Sequence, residues 1–235
     1  MRDSKKEQHW ILRRLKLSKF AEHVYQWQQN LIVKFVEKPK ELKTIYRFVH
    51  ERYIDAGIIE PQPNGLWVTK YHLFPDTKVV AAYLKNDSNF EKPICTATIV
   101  FDKLKRGLPC DGIYQDILDE LRAQGKKLVE LCSLAALPNL QARNAYFILF
   151  KMLYKYIEQK RYTDIVVVIK PKHRSFYKKI LRFRCFKERT YPRFRNVTAL
   201  LAHLDLIHAE KEYKEIYSEF PKDYNLYLFF KRPLY

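Results

Sequence analysis

Lys127-Leu-Val-Glu-Leu-Cys-Ser-Leu-Ala135, the break at Pro138-Asn139, the run Leu140 to Gln159, then Asp164-Ile-Val-Val-Val-Ile169 and Pro171 follow one another in mid-chain. Their reading decides the fold. Ala145, Ile148, Leu149, Met152, Leu153 and Tyr156 recur at three- and four-residue steps, which predicts a helix with one apolar face. Asn139 stands where a side-chain oxygen can cap its first turn. Val166, Val167 and Val168 are β-branched and continuous, as suits a strand covered on both faces. A second helix is predicted from near Lys172, carrying His173, Phe176, Tyr177 and Leu181. Strand, helix, strand and helix in this order imply two parallel strands joined by a right-handed crossover. The runs 127–135 and 164–170 are expected to lie side by side and to splay at their C-terminal ends, where prolines break both.

Outward from this unit, Leu31 to Val36 reads as a strand and Glu41 to Asp55 as a helix, with Gly57 just past its end. Residues 58–75 hold Pro61, Pro63, Gly65 and Pro75 and read as a loop. Trp67, Tyr71 and Phe74 make it aromatic, so it is either a binding segment or a loop pinned by its own rings. Val79 to Leu84 and Ile94 to Phe101 read as a hairpin turned at Asn86-Asp-Ser-Asn89. Ile113 to Arg122 is a short helix. Phe183 to Arg189 and Val197 to Leu206 are two further strands, and His208 to Tyr217 is a charged helix. Residues 5–30 read as helical and basic, either lying on an anionic membrane or docked on the domain. The order of elements describes one mixed-sheet α/β domain.

Val129-Glu-Leu-Cys-Ser-Leu-Ala135, Pro171-Lys-His-Arg-Ser-Phe-Tyr177 and Leu181-Arg-Phe183 resemble the N-acyl amino acid synthase branch of the GNAT superfamily, which is similar to the acyl-homoserine-lactone synthases. Tyr46-Arg47-Phe48 with Tyr53-Ile54 and Gly57 resembles that family's N-terminal helix. Phe101-Asp102 with Gly107-Leu-Pro109 and Asp111 resembles the segment after its third strand. Arg182 stands where the family usually has glycine. The resemblance covers roughly residues 31 to 206 and rests on the order and spacing of the blocks.

It implies a single GNAT-like domain, a central mixed β-sheet flanked by helices and splayed at its two parallel central strands. Residues 1–30 would be a basic helical segment, 31–206 the acyltransferase domain, and 207–235 a C-terminal helix and tail packed on it. It further implies an N-acyltransferase that moves a long-chain acyl group from acyl carrier protein or acyl-CoA to the amino group of an amino acid or similar small amine. The donor is then a substrate, and no permanently bound cofactor is implied.

The composition bounds the same reading. A chain of 235 residues with 47% hydrophobic residues can bury a substantial core. Four scattered cysteines show neither CxxC pairs nor zinc spacing. No run approaches the ~20 apolar residues of a spanning helix, and no signal-like segment opens the chain, so a cytoplasmic protein is expected. With 44 basic and 26 acidic residues the formal charge is +18. That balance suits an acidic partner: a carrier protein under the family reading, an anionic membrane touched peripherally, or nucleic acid. The basic-aromatic tracts Arg182 to Lys187 and Arg189 to Arg195 are of the kind that hold single strands, but no RNA- or DNA-binding motif accompanies them. The alternative to the enzyme is therefore a basic binding or membrane-associated protein on a non-catalytic GNAT fold.

Seven residues are singled out. Glu130 lies among apolar strand residues, either as a base toward an attacking amine or as a buried carboxylate paired with Arg47 or another cation. Tyr177 stands where the resemblance implies a general acid for the departing thiolate, and is otherwise a core tyrosine. His173 is a helix-start surface residue or a base. Arg143 begins the long helix, where a phosphate could be held, in a turn without the glycines of a pyrophosphate cradle. Asp102 orients the amine or caps a turn. Arg47 and Ser133 belong to the matching blocks and are assigned to substrate binding with them. A long acyl chain needs an apolar tunnel, expected near the splay between residues 140–159 and the loop 58–75.

Overall fold

Seven strands form one mixed sheet: β1 (Leu31–Val36), β2 (Lys78–Leu84), β3 (Cys95–Phe101), β4 (Leu128–Ala136), β5 (Asp164–Ile169), β6 (Arg184–Tyr191) and β7 (Val197–Asp205), in spatial order β1-β2-β3-β4-β5-β7-β6. The computed structural model describes residues 2–26, 28–87 and 89–233. Trp27 of the N-terminal run, Ser88 of the Asn86 to Asn89 turn, and Leu234 and Tyr235 of the tail lie outside them. β4 and β5 are parallel and their neighbours antiparallel, as the crossover requires.

Parallel pairing runs from Leu128 opposite Asp164 to Leu131 opposite Val167 and goes no further, although β4 continues to Ala136 and β5 to Ile169. The strands part there. On its other side β4 carries a bulge: Thr96 pairs with Ala135 and Thr98 with Cys132, one residue too many on β4. Ser133, inside that excess, has φ 49°, the left-handed region that a bulge uses and non-glycine residues seldom enter. The bulge bends β4 away from β5 just where their hydrogen bonds end.

Six helices cover the sheet: α1 (Arg2–Leu17), α2 (Pro39–Asp55), α3 (Asp111–Ala123), α4 (Leu140–Gln159), α5 (Leu206–Ile216) and α6 (Leu226–Lys231). α4 begins as its sequence predicts, with Asn139 Oδ1 accepting the Ala142 amide at 2.7 Å. Asp205 caps α5 through the His208 amide at 3.0 Å. Alternation along β4 divides the core. Val129 and Leu131 face α4, α1, α5 and α6, while Leu128 and Cys132 face the α2 and α3 side.

Three sequence expectations change. The N-terminal helix stops at Leu17, and Lys19 turns left-handed at φ 53°, so the run to residue 30 is broken. Ile11, Leu15 and Phe20 are buried in the main core, so the apolar stripe of this basic segment is docked and not offered to a membrane. The helix predicted from Lys172 is wound unevenly, tight over Pro171–His173 and widened over Phe176–Ile180. The tail, expected to pack on the domain behind one helix, forms a second helix, α6, whose aromatics enter the core.

Arg182 keeps the turn that the family makes with glycine. Its φ is 59°, and its guanidinium meets Glu7 of α1 at 2.9 Å and Glu212 of α5 at 3.3 Å. Half-buried charge pairing offsets the strain. Arg189 pairs with Asp116 and Arg195 with Glu60, so the basic tract is partly neutralised within the fold.

Gly107, at φ +65°, sits where a Cβ would fall on the Asp111 carboxylate, which itself accepts the Leu108 amide. Gly107→Ala should therefore lower stability by about 1–3 kcal/mol, read as a lower urea midpoint at unchanged slope. An unchanged midpoint would show that the 102–111 loop does not need this backbone.

Candidate active site

Glu130 is the charged residue that the sheet holds deepest at the fork. It is paired across to Val100 on β3 and Val166 on β5, one position before Leu131, and is 3% exposed. It does not pair with Arg47, which lies exposed on α2. Its Oε2 accepts the Cys110 amide at 2.9 Å. Burial raises its pKa to about 7, against the lowering by its bonds to Cys110, with Asp111 adding a further rise. A carboxyl group so placed changes its proton near neutral pH, which suits a base.

Its surroundings are thiols and phenols. Burial, with Glu130 contributing, holds the Cys110 and Cys132 thiols well above their usual range, so neither is a thiolate nucleophile. Tyr53 of α2, Tyr71 of the 58–75 loop and Tyr191 at the end of β6 also feel the carboxylate, and all three are raised by burial first, Tyr71 to about 12. Tyr71 Oη is engaged, donating to Leu108 O at 2.9 Å, whereas Tyr191 Oη is buried without a partner. Tyr53 packs on Trp67, and Trp67 on Phe194, at 5.5 and 5.6 Å between ring centroids. The loop 58–75 thus roofs the Glu130 side.

Asp102 is withdrawn from any free role. Both its oxygens are held by Arg122, at 2.7 and 3.1 Å, and the same guanidinium binds Asp111 and Asp119. This network fixes the loop that delivers the Cys110 amide to Glu130. The sequence offered the turn cap or the amine for Asp102, and the ion network takes it instead.

Tyr177 lies on the opposite face of the sheet. Its ring is 5.2 Å from Phe183, and burial raises its phenol, so it stays protonated at neutral pH. It lines an apolar pocket with Leu131 and Val167, the last paired residues of the fork. Phe150, Leu153 and Tyr154 of α4 form one wall and residues of α5 and α6 another, around a cavity of about 50 Å³ that opens to solvent. The α4 wall agrees with the sequence expectation. The loop 58–75 contributes none, because it lies across the sheet.

The third component is at the lip of the fork. Arg143 is exposed in the first turn of α4, its Nε 3.4 Å from Asn139 O. His173 is also exposed at the surface, and its pKa is lowered by desolvation first and then by Lys172, Lys170 and Arg143, which places these cations together. Lys170 Nζ donates to Ala56 O at 2.6 Å. Gln141 Nε2 is buried in the same helical turn without a partner. Gln141, Lys170 and Lys172 were not singled out from the sequence, and Lys170 and Lys172 flanking Pro171 beside a strand end were the available signal.

Solved structures share this fold. FeeM, an N-acyl amino acid synthase from uncultured soil microbes, superposes with TM-score 0.65 at 24% identity over 77% of this chain and 93% of its own. The acyl-homoserine-lactone synthase LasI gives 0.51 at 12% identity, covering 75% and 90%. The CoA-dependent synthase BjaI, solved with SAM and isopentyl-CoA, gives 0.51 at 9%, covering 79% and 89%. No curated protein matches the chain. The fold, with its mixed sheet parting at two parallel central strands, is GNAT-like. The profile of the N-acyl amino acid synthase FeeM family matches residues 44–205, and the chain belongs to that family, which makes it an N-acyltransferase.

A raised carboxyl pKa makes stability depend on pH with a definite sign. Between about 4.5 and 7 the folded state binds the Glu130 proton more tightly than the unfolded state, so stability falls as pH rises through that window. The loss approaches ~3 kcal/mol. Glu130→Gln should remove this slope in urea titrations at a series of pH values. A variant with the wild-type slope would show that Glu130 ionises normally.

Proposed function

We propose that the enzyme transfers a long-chain acyl group from acyl carrier protein to the amino group of an amino acid or similar small amine, with acyl-CoA as the alternative donor. The observation that carries this reading is the fork: it opens between a buried carboxylate on one face of the sheet and an apolar pocket on the other. Past Leu131 and Val167 the facing edges of β4 and β5 no longer bond each other, which suits the amide-bearing arm of a thioester donor. The acyl chain then turns into the pocket beside Tyr177, and the amine approaches from the side roofed by Tyr53 and Trp67.

In the reaction, Glu130 takes a proton from the amine, directly or through water. The neutral nitrogen attacks the thioester carbonyl, the C–N bond forms, the nitrogen gives its second proton to water, from which Tyr177 is later reprotonated, and the C–S bond breaks. Tyr177, held protonated by burial, gives its proton to the departing thiolate. Ser133, at the bulge, shapes the backbone that faces the carbonyl. Arg143, His173, Lys172 and Gln141 would meet the phosphate of the donor's arm, together with the α4 N-terminus. Arg47, on the outer face of α2, is assigned to the carrier's surface instead of the acceptor.

Two features favour the carrier protein. The α4 turn lacks the glycines that bring a backbone close to a pyrophosphate. A formal charge of +18 speeds encounter with an acidic protein. Among the described residues no helix is long and apolar enough to cross a membrane. The choice of donor, and not that absence, is what suggests the cytoplasm.

Incubating the protein with long-chain acyl carrier protein and a panel of amino acids, then analysing the lipids by mass spectrometry, should yield N-acyl amino acids. Glu130→Gln should lower kcat/KM by about 10²–10⁴-fold, and the wild-type kcat/KM should rise with pH through about 7. Arg143→Ala should cost up to about 1 kcal/mol in carrier-dependent turnover, because the residue is exposed. Turnover at limiting carrier should fall with salt. Equal use of carrier and CoA without salt dependence would overturn the donor assignment, and absence of any acylated amine would overturn the reaction.

A further inference from the structure

The apolar pocket begins at the fork and ends on a wall that the family profile does not reach, since that profile stops at residue 205. The near walls are rigid. Leu131, Leu153, Ile165, Val167 and Leu204 are buried residues of the sheet and α4, none more than 7% exposed. The far wall is built differently. Tyr213 of α5 is anchored, its hydroxyl donating to Leu181 O at 2.9 Å. Phe230 of α6 stacks on it with centroids 5.7 Å apart and planes 19° off parallel, and meets Tyr154 at 6.0 Å.

α6 has six residues and two faces. Leu226 and Phe229 sink into the core, and Asn225 ties the entry, accepting the Leu228 amide at 3.0 Å and donating to Tyr217 O at 2.7 Å. Tyr227, Phe230 and Lys231 face the pocket. Over the mouth Lys231 pairs with Glu210 at 2.6 Å, both side chains being partly exposed. A pair of that exposure is a weak closure that opens at little cost.

We propose that Phe230 is the stop that sets the length of acyl chain the enzyme accepts, with the Glu210–Lys231 pair as a latch over the mouth beyond it. The proposal rests on the reading that this pocket receives the acyl group. Up to the ring, each added methylene leaves water for an apolar wall and tightens binding by about fourfold. Past the ring, a further methylene must displace Phe230 from Tyr213 or meet the charged pair, so the gain ends. Chain length is thus set by the C-terminal segment, and reaction chemistry by the fork.

The test uses the full chain, one amine that it acylates, and an even-numbered series of saturated acyl donors. Phe230→Ala should move the optimum to chains longer by about two or more carbons and raise the kcat/KM ratio of the longest chain to the wild-type optimum at least about tenfold. Glu210→Gln, which loosens the latch, should shift the profile the same way by less. Leu228→Ala, on the outer side of α6 and 36% exposed, should leave the profile as it is. Thermal melts establish that each variant is folded. Should Phe230→Ala fail to fold, Phe230→Leu keeps an apolar side chain on the helix and should give a smaller shift in the same direction. A folded Phe230 variant with the wild-type length profile overturns the stop but leaves the acyl pocket standing. Wild-type protein that transfers no long acyl group, or transfers all lengths equally, overturns the pocket assignment and the stop with it.

Discussion

β4 and β5 pair in parallel over a few residues and then separate, and the rest of the molecule is arranged around that separation. Two local causes produce it. An extra residue at Ser133 bends β4, with the chain held in a left-handed conformation, and Pro171 follows soon after β5 and removes a donor that could extend the ladder. A gap in a sheet leaves backbone hydrogen-bonding groups to be satisfied by something else. Under the proposed reading that something is the substrate, which would make the fork the place where the chemistry is done.

The two faces of the sheet divide the work. On the α2 and α3 face a carboxyl group is desolvated enough to titrate near neutrality, yet steadied by the Cys110 amide. Its nearest thiols and phenols stay protonated. On the other face the lining is largely apolar, and Tyr177, one of several phenols there, is held protonated. Glu130 and Tyr177 thus lie on opposite faces of the sheet, and under the proposed mechanism only a substrate in the fork would connect them.

Charge elsewhere serves position. Arg122 gathers three aspartates behind the loop that carries Cys110. Arg182 ties α1 and α5 to the turn before β6. These partly buried, multidentate contacts are the kind that hold geometry, whereas isolated exposed pairs contribute little. The excess of basic residues that remains at the surface gives a long-range field.

Local sequence was enough to identify the β4-α4-β5 crossover, because helix periodicity, β-branched runs and the Asn139 cap are short-range signals that the tertiary structure did not override. It also marked Glu130, since a carboxylate in an apolar strand is anomalous wherever the strand goes. Partnership was decided only in three dimensions. Arg47 and Glu130, joined in the sequence reading, are apart because α2 turns Arg47 outward, and the amide that reaches Glu130 comes from Cys110, whose loop is placed by Arg122. The pocket wall moved from the loop 58–75 to α5 and α6 for the same reason: which face of a sheet a connection covers depends on crossover and packing, not on its own residues. Phe230 reads in sequence as one more aromatic near the C-terminus, and only the folding of α5 and α6 onto the sheet brings it to the pocket lining, stacked on Tyr213.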